Sequence, residues 1–190
     1  MSEPLKGERL DTQELEQIVN TCYAPLYRFA FSLCKGPEDA ADLTQEAFRK
    51  LAEKYADLRD KSKVRTWLFT TVYRAYLARQ RHAAKFPEVE ISEAVPSLLA
   101  TAPDATEHID AAAALRALLK LDPAYRAPLT LFYLQDYSYK QIAQILELPI
   151  GTVMSRLARG KMLLREQLAD KDMAGRAVSS TPSKIDLAAL

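Results

Sequence analysis

The sequence predicts an all-α protein with two small helical domains joined by a flexible acidic linker, and with a helix-turn-helix in the second domain. Glycine is scarce, with 5 among 190 residues, and apolar residues recur at the three- and four-residue spacings of an amphipathic helix. Neither glycine nor proline occurs from residue 38 to residue 86, so long helices can form there. Residues 86–110 contain three prolines and several acids but no lysine or arginine, which is typical of a solvated linker.

These features divide the chain into four parts. The first helical domain is predicted over residues 12–85, the linker over 86–110 and the second helical domain over 111–168. Residues 169–190, which are rich in serine, threonine and lysine, are predicted to be disordered.

The net charge of +1 hides an uneven distribution of charge along the chain. Residues 59–85 contain a single acid, Asp60, and these basic residues: Arg59, Lys61, Lys63, Arg65, Arg74, Arg79, Arg81 and Lys85. Residues 86–114 contain aspartate and glutamate but no lysine or arginine. A basic segment beside an acidic one is typical of a protein that binds polyanions through one part of its surface.

Other functional classes lack support in the sequence. The motifs GxxxxGK(S/T), GxSxG, HExxH and GxGxxG do not occur, and His82 and His108 are solitary, so we expect no enzyme, metal site or cofactor. Cys22 and Cys34 lack metal-binding spacing and are expected to be reduced, buried thiols. The N-terminus has no signal-peptide core, and no apolar run approaches the roughly 18 residues of a membrane span. We expect a cytoplasmic protein without membrane insertion.

The first domain is predicted to begin with a helix capped by Asp11 or Thr12. Pro25 marks either a break or the first turn of a second, strongly apolar helix that includes residues 27–34 and ends at Gly36-Pro37. Glu38 or Asp39 opens the next helix. Its buried side is predicted to contain Ala40 or Ala41, with Leu43, Ala47, Leu51 and Tyr55.

Phe48 lies off that buried stripe, among charged residues. It either forms part of a partner surface or packs beneath a neighbouring helix. Residues 59–63 are predicted to form a loop, and Lys63, Val64 or Arg65 leads into a helix that continues to about Ala84. Basic residues interleaved with aromatic ones suit single-stranded nucleic acid, although most of these aromatics, Trp67 in particular, are expected in the core.

The second domain is predicted to start with a helical block opened by Thr106 or Asp110, followed by a helix that begins at Asp122-Pro123. Pro128 lies early in that helix or kinks it. Ser138 is the expected N-cap of the next helix, which Leu148-Pro149 should end.

The last helix is predicted to start near Ile150 and to present two different sides. One side is an apolar stripe made of Val153, Leu157, Gly160, Leu164 and Leu168. Small or hydrogen-bonding residues and an arginine lie away from it: Gly151, Thr152, Ser155, Ala158 and Arg159, with Arg156 and Lys161 on the shoulders. Such a side suits a helix in the DNA major groove; a helix pair used only for packing is the alternative.

The segment IAQILELPIGTVMSRLARGKMLL resembles region 4 of the bacterial extracytoplasmic-function (ECF) sigma factors, whose usual form is EIAxxLxxPxGTVxSRLxRAxxxL. The departures are Lys140, Glu147 and Met154, which replace the customary Glu, Gly and basic residue. A left-handed Glu147 would cost about 1 kcal/mol. The resemblance implies that the −35 promoter element is read by Thr152, Ser155, Arg156, Ala158, Arg159 and Lys161.

Two segments of the first block resemble region 2 of the same family. ADLTQEAFRKL matches A-x-D-(L/V)-x-Q-(E/D)-x-F-x-x-(L/A), which implies that the coiled coil of the RNA polymerase β′ subunit binds Asp42, Gln45, Glu46, Phe48 and Arg49. The following helix resembles WLxxIaxNxxxDxxR, with Ala75 in place of the common Asn. The implied −10 DNA residues are Lys61, Lys63, Arg65, Arg74, Arg79 and Arg81.

The order of the two blocks implies an ECF-type sigma factor. In such a protein the first domain binds core RNA polymerase and opens the −10 element, and the second reads the −35 element as duplex. The implied partners are core polymerase, through the β′ coiled coil and the β flap, promoter DNA, and an anti-sigma factor. The linker either follows the RNA-exit side of the polymerase or is a plain tether. The alternatives are a stand-alone helix-turn-helix regulator that binds an operator, and a helical adaptor without a DNA role.

Overall fold

The computed structural model describes residues 11–84 and 114–172, without the side chains of 170–172. The chain divides into two compact units, of which residues 11–84 and 114–172 are the described parts. Within these residues every regular element is a helix, so the predicted all-α class is confirmed.

Three α-helices and two short 3₁₀ turns form the first unit. The α-helices are α1 (Thr12–Cys34), α2 (Pro37–Lys54) and α3 (Val64–Ala83), and the 3₁₀ turns are Tyr55–Asp57 and Lys61–Lys63. Each helix packs on the other two. The fully buried side chains at their junction include Leu26, Phe29, Leu43, Leu51, Leu68, Phe69 and Val72.

Helix α1 is one continuous helix, so the predicted break at Pro25 is wrong. Asp11 caps it by accepting a hydrogen bond from the backbone N–H of Gln13 (2.6 Å). Pro25 lies inside the helix, where a proline removes one backbone hydrogen bond. Burial of the residues that follow it, such as Leu26 and Phe29, holds the helix together across that gap.

Helix α2 begins one or two residues earlier than the sequence predicts. Gly36 is its N-cap and Pro37 its first residue, a position where the missing proline N–H is harmless. Glu38 and Asp39 therefore lie in the first turn, where the helix dipole favours acidic side chains. The predicted buried stripe is confirmed, with Ala40 as its first member.

Two further predictions about the first unit have mixed outcomes. Trp67 is only partly buried, so the prediction that it lies in the core is wrong; its neighbours Leu68 and Phe69 take the core positions. Both cysteines are free thiols, and Cys22 is buried as expected, whereas Cys34 is only partly buried. Burial raises the pKa of each thiol, which keeps both protonated at neutral pH.

The second unit contains α4 (114–120), α5 (Pro123–Tyr133), α6 (Tyr139–Leu146) and α7 (Ile150–Asp172). Asp122 caps α5, and Ser138 caps α6 in a reciprocal capping box with Gln141, so both predicted helix starts are confirmed. Helix α7 starts at Ile150 as predicted but runs four residues past the predicted end at 168. The linker and the predicted start at Thr106 or Asp110 lie outside the described residues.

The turn between α6 and α7 depends on Glu147. Its backbone is left-handed, with φ 54° and ψ 45°, at a position where the motif that it resembles usually has glycine. The sequence predicted that Leu148-Pro149 would end helix α6. The helix ends slightly earlier, at Leu146, because Glu147 is already left-handed. The Glu147 N–H donates to the Ala143 carbonyl oxygen, and a left-handed non-glycine residue costs about 1–2 kcal/mol.

Helix α7 packs closely on α5 at a glycine. Val153, Leu157 and Leu164 are buried as predicted. A Cβ atom at Gly160 would lie 2.9 Å from Leu129 Cδ1 and 3.3 Å from Tyr125 Cβ. Glycine at this position therefore lets the two helix backbones approach each other.

Arg126 connects α5 to the end of α4. Its side chain is 1% exposed, and Nη1 donates to the carbonyl oxygens of Leu119 (2.7 Å) and Leu121 (3.1 Å). These acceptors lie at the C-terminal end of α4, where carbonyl groups lack partners within the helix. The buried guanidinium thus fixes the turn that aligns α5 under the helix-turn-helix.

We expect Arg126→Met to lower the free energy of unfolding of the second unit by about 2–3 kcal/mol, because two carbonyl groups lose a charged donor. Urea denaturation followed by circular dichroism measures this. Arg116 is exposed, so Arg116→Met serves as the matched control and should change the free energy of unfolding by less than about 0.5 kcal/mol. Equal stability of the two variants would contradict this role for Arg126.

Candidate functional surfaces

The first candidate surface is the outward side of α2, which we call the α2 face. At about 100° per residue, Asp42, Gln45 and Arg49 point directly away from the buried stripe, and all three are exposed. Glu46 and Phe48 are half-buried and lie at opposite edges of the face. The structure therefore brings together all five residues that the sequence assigns to polymerase binding.

Phe48 forms the aromatic edge of the α2 face. Its ring stacks on Tyr23 of α1, with centroids 6.2 Å apart and an interplanar angle of 14°. Tyr23 also stacks on Tyr27, at 6.3 Å and 9°, and is 40% exposed. Phe48 thus belongs to a surface row of three rings rather than lying beneath a neighbouring helix.

Sequence reasoning missed Tyr23 and Tyr27. Their four-residue spacing was an available signal, because it places two aromatics one above the other on a helix. Burial raises the pKa of the Tyr27 hydroxyl, and the neighbouring Tyr23 and Cys34 raise it further. The raised pKa favours the protonated, neutral form of the Tyr27 hydroxyl.

Glu46 forms the charged edge of the α2 face. Its carboxylate lies 2.7 Å from the Lys50 ammonium and 3.8 Å from the Arg79 guanidinium of α3. The hydrogen bond from Lys50 is the largest cause that lowers the pKa of Glu46, and the charges of Lys50 and Arg79 add to it. Glu46 is thus held ionised at the junction of α2 and α3.

The basic residues predicted for −10 DNA fall into different places on α3. Arg79 lies against α2, where Asp39 (3.3 Å) and Glu46 pair with it. Arg74 and Arg81 are exposed on another side. Each is seven residues from the next member of the row Trp67, Arg74 and Arg81, so the three share one side of the helix; we call this row the α3 line.

The remaining predicted −10 residues precede or begin α3. Lys61 and Lys63 are exposed in the second 3₁₀ turn. The Lys61 ammonium lies 4.8 Å from the Tyr55 ring centroid, and Lys63 lies 3.0 Å from Asp60. Arg65 is exposed, with its guanidinium 5.9 Å from the Phe69 ring centroid.

The second unit carries the other candidate surface, on α7. We call it the groove face, and its members are Thr152, Ser155, Arg156, Ala158 and Arg159, with Lys161 at its edge. Ser155, Ala158 and Arg159 are exposed, while Thr152 and Arg156 are partly buried. The Ser155 hydroxyl donates to the Thr152 carbonyl oxygen at 3.0 Å, which leaves its lone pairs as acceptors. The Arg159 guanidinium contacts the Met162 sulfur at 3.7 Å, which directs it along the exposed side of the helix.

Lys161 differs from the other residues predicted to contact −35 DNA. Its ammonium lies 5.3 Å from the Phe132 ring centroid and 5.6 Å from that of Tyr133, and the side chain is partly buried. Cation–π contacts of this kind stabilise by about 0.5–2 kcal/mol. Lys161 therefore joins α7 to α5 as well as standing at the shoulder of the groove face.

No metal centre or membrane span was found in the described parts of the chain. Over residues 11–84 and 114–172, no three histidine, cysteine or acidic side chains cluster as metal ligands. No helix in the same ranges is long and apolar enough to cross a bilayer.

Comparison with known proteins assigns a family to these two units. Residues 18–86 match the family model of sigma-70 region 2, and residues 111–164 match that of sigma-70, region 4. The RNA polymerase sigma-E factor of Streptomyces antibioticus is 32% identical over 166 residues, which is 87% of this chain and 90% of that protein. ECF RNA polymerase sigma factor SigM of Mycobacterium tuberculosis is 30% identical over 83% of this chain and 79% of its own length.

A solved structure agrees with the sequence comparison. The sigma factor RpoE from Bartonella quintana, solved with the anti-sigma factor NepR, has a TM-score of 0.68 at 26% identity, over 83% of this chain and 98% of that one. The fold and the family matches thus define a two-unit helical transcription factor. The chain belongs to the sigma-70 family and, within it, to the ECF RNA polymerase sigma factors. This assignment favours the sigma-factor hypothesis over a stand-alone operator-binding regulator.

We expect Lys50→Met to raise the pKa of Glu46, because the hydrogen bond from Lys50 is the main cause of its lowering. A carboxyl group with a lowered pKa in the folded state stabilises the protein at neutral pH, and this contribution is lost as the pH falls through that pKa. Carbon-13 NMR titration of the Glu46 carboxyl measures the shift. Arg49→Met is the control and should move it less, since Arg49 is the smallest contributor. An unchanged pKa in Lys50→Met would contradict the geometry.

Proposed function

We propose that the first unit docks on core RNA polymerase and opens the −10 element, while the second reads the −35 element as duplex DNA. The observation that carries this proposal is the presence, in one chain and in this order, of both sigma-70 regions, each with an exposed surface of suitable chemistry. Like other subunits that act by binding, the chain would supply recognition, and the catalytic chemistry would belong to the polymerase. Its site of action would be the cytoplasm.

The α2 face would bind the β′ coiled coil. Its members are Asp42, Gln45, Glu46, Phe48 and Arg49. Polar and charged groups surround one half-buried aromatic ring, as in interfaces where an aromatic anchor is enclosed by a polar rim. Tyr23 and Tyr27 extend the aromatic part of this surface. Glu46, held in place by Lys50, would contribute a fixed negative charge at the edge.

The α3 line and the preceding basic turn would hold the −10 DNA. Trp67 supplies a partly exposed ring on which an unpaired base can stack, and Arg74 and Arg81 supply charge for the strand beside it. Lys61, Lys63 and Arg65 would hold phosphates next to this site. Arg79 would act indirectly, since its pairing with Asp39 and Glu46 fixes α3 against α2.

Strand opening requires energy from elsewhere in the complex. Unstacking a base costs a few kcal/mol, and a surface lysine or arginine contact to phosphate is weakened by salt. Contacts made by the α2 face with the polymerase would offset this cost. The two surfaces lie on adjacent helices, α2 and α3. This placement supports the proposal that one binds the polymerase while the other holds the opened strand.

The groove face would read the −35 element. Thr152, Ser155 and Ala158 are small and allow close approach to base edges, and Arg159 can contact guanine with two hydrogen bonds. Arg156 and Lys161 would hold phosphates on the two shoulders. The β flap of the polymerase would bind elsewhere on the second unit, and an anti-sigma factor, such as the one seen with the Bartonella quintana relative, would compete with these partners.

Run-off transcription with purified core polymerase tests the function. A library of genomic promoter fragments should yield discrete transcripts with the chain and core enzyme together, and none with core enzyme alone. If the purified chain failed to bind core polymerase and bound an operator unaided, the proposal would be wrong.

We expect Phe48→Ala to weaken binding to core polymerase by at least tenfold, because truncation of an aromatic anchor costs about 2 kcal/mol or more. Fluorescence titration of labelled chain with core enzyme measures the affinity. Leu77→Ala, at an exposed apolar position of α3, is the control and should bind normally. Normal binding by the Phe48 variant would exclude the α2 face as the main contact.

We expect Arg159→Ala to weaken holoenzyme binding to its promoter by about 1–3 kcal/mol and to relax the base preference at one −35 position. Arg156→Ala should instead weaken binding similarly for all sequences and reduce the salt dependence. Filter binding against a panel of −35 variants at several salt concentrations distinguishes the two effects. An unchanged base preference in Arg159→Ala would show that Arg159 contacts the DNA phosphate backbone and not a base.

A further inference from the structure

The first three turns of α7 carry a row of exposed apolar residues. Ile150, Met154 and Ala158 follow one another at four-residue spacing, so they lie one above the other on the helix. Ile150 is 51% exposed and Met154 is 52% exposed. Large apolar side chains this exposed, at two successive turns of one helix, indicate a surface that something else covers.

The position of this row points to DNA. It borders the groove face and lies at the N-terminal end of α7, the part of a recognition helix that reaches base edges in the major groove. At Gly151, between the two side chains, a Cβ atom would meet nothing within 4 Å, so the helix surface is open to close approach. Arg156 and Arg159 supply positive charge on the following turns, as a polyanion requires.

The major groove offers one distinctive apolar group, the C5-methyl of thymine. The serine and arginine side chains of the groove face can read polar base edges, but they gain little from a methyl group. Thr152 can offer only one methyl group of its own. Met154 is long, unbranched and adaptable, and about half of its surface is exposed. A thymine methyl is therefore the partner in the groove that matches its chemistry.

We propose that Met154, with Ile150 beside it, contacts the methyl group of a thymine in the −35 element and so determines part of the promoter specificity of this chain. The inference rests on the proposed function, because it requires α7 to enter the major groove at that element. It assigns sequence reading to an apolar side chain in addition to Arg159.

Replacing thymine by uracil tests this directly, because uracil pairs identically and lacks only the methyl group. Holoenzyme formed from the full chain and core polymerase first selects promoter duplexes from a library with randomised −35 positions. Each thymine of the selected element is then replaced singly by uracil, and affinity is measured for the unmodified chain, Met154→Ala, Met154→Leu and Met162→Ala. Met162 is an exposed methionine two turns further along the same helix, and its sulfur contacts Arg159. Met162→Ala therefore shows whether loss of a methionine beside Arg159, without loss of Met154, changes the ratio of the two affinities.

At one −35 position, uracil should weaken binding by the unmodified chain about fourfold, the loss expected for one buried methyl group. Met154→Leu and Met162→Ala should retain this ratio, whereas Met154→Ala should bind the thymine and uracil duplexes equally. Circular dichroism of the variants checks that each is folded.

Three results would overturn the inference. The first is a selected element without thymine. The second is an equal effect of uracil on the affinities of Met154→Ala and the unmodified chain. The third is a loss of core-polymerase affinity in Met154→Ala with an intact thymine preference, which would assign the row to a protein partner. A holoenzyme that selects no −35 sequence would instead overturn the proposed function together with this inference.

Discussion

Burial of one apolar stripe on each helix is the constraint on which both units depend. In α2 the stripe formed by Leu43, Ala47 and Leu51 is fully buried, and the helical period then leaves Asp42, Gln45 and Arg49 outside. The same constraint in α7 buries Val153 and Leu157. A shift of either stripe by one residue would rotate the side chains of the candidate surface by about 100° and so bring other residues to that side of the helix. The composition of both candidate surfaces therefore follows from where the core lies.

Contacts between helices adjust what the stripes alone would produce. Arg79 belongs to a strongly basic segment, yet it lies between Asp39 and Glu46 of α2. An exposed ion pair contributes little stability, so its main effect is geometric, because it directs one arginine of α3 towards α2 while Arg74 and Arg81 remain on another side. In the second unit Lys161 is similarly directed towards the rings of Phe132 and Tyr133.

Three unusual residues position the helix-turn-helix. Gly160 lets α7 approach α5, and the buried Arg126 ties the end of α4 to α5 through two carbonyl oxygens. Glu147 adopts a left-handed backbone at the turn despite its side chain. Its cost of about 1–2 kcal/mol is small beside the burial of Ile142, Ile145 and Leu146 on α6, since each buried aliphatic side chain contributes about 1.5–3 kcal/mol.

Helix type, the buried sides of α2 and α7, and the caps at Asp122 and Ser138 were predictable, because they depend on local spacing and on hydrogen bonds within a few residues. Predictions failed where a local rule competed with packing. Proline chemistry favoured a break at Pro25, but burial of Leu26 and Phe29, which follow it, kept the helix whole. Trp67 remained partly exposed because Leu68 and Phe69 occupy the core.

The residues of each surface were thus determined by the sequence, since the helical period and the order of the motifs specify which side chains share a side. Their partners within the fold were decided by the tertiary structure. The stacking of Phe48 on Tyr23, the pairing of Arg79 with Glu46 and the exposure of Met154 depend on which helices lie next to each other. Spacing along one helix cannot supply that information, because both contacts and exposure depend on helices that are distant in the chain.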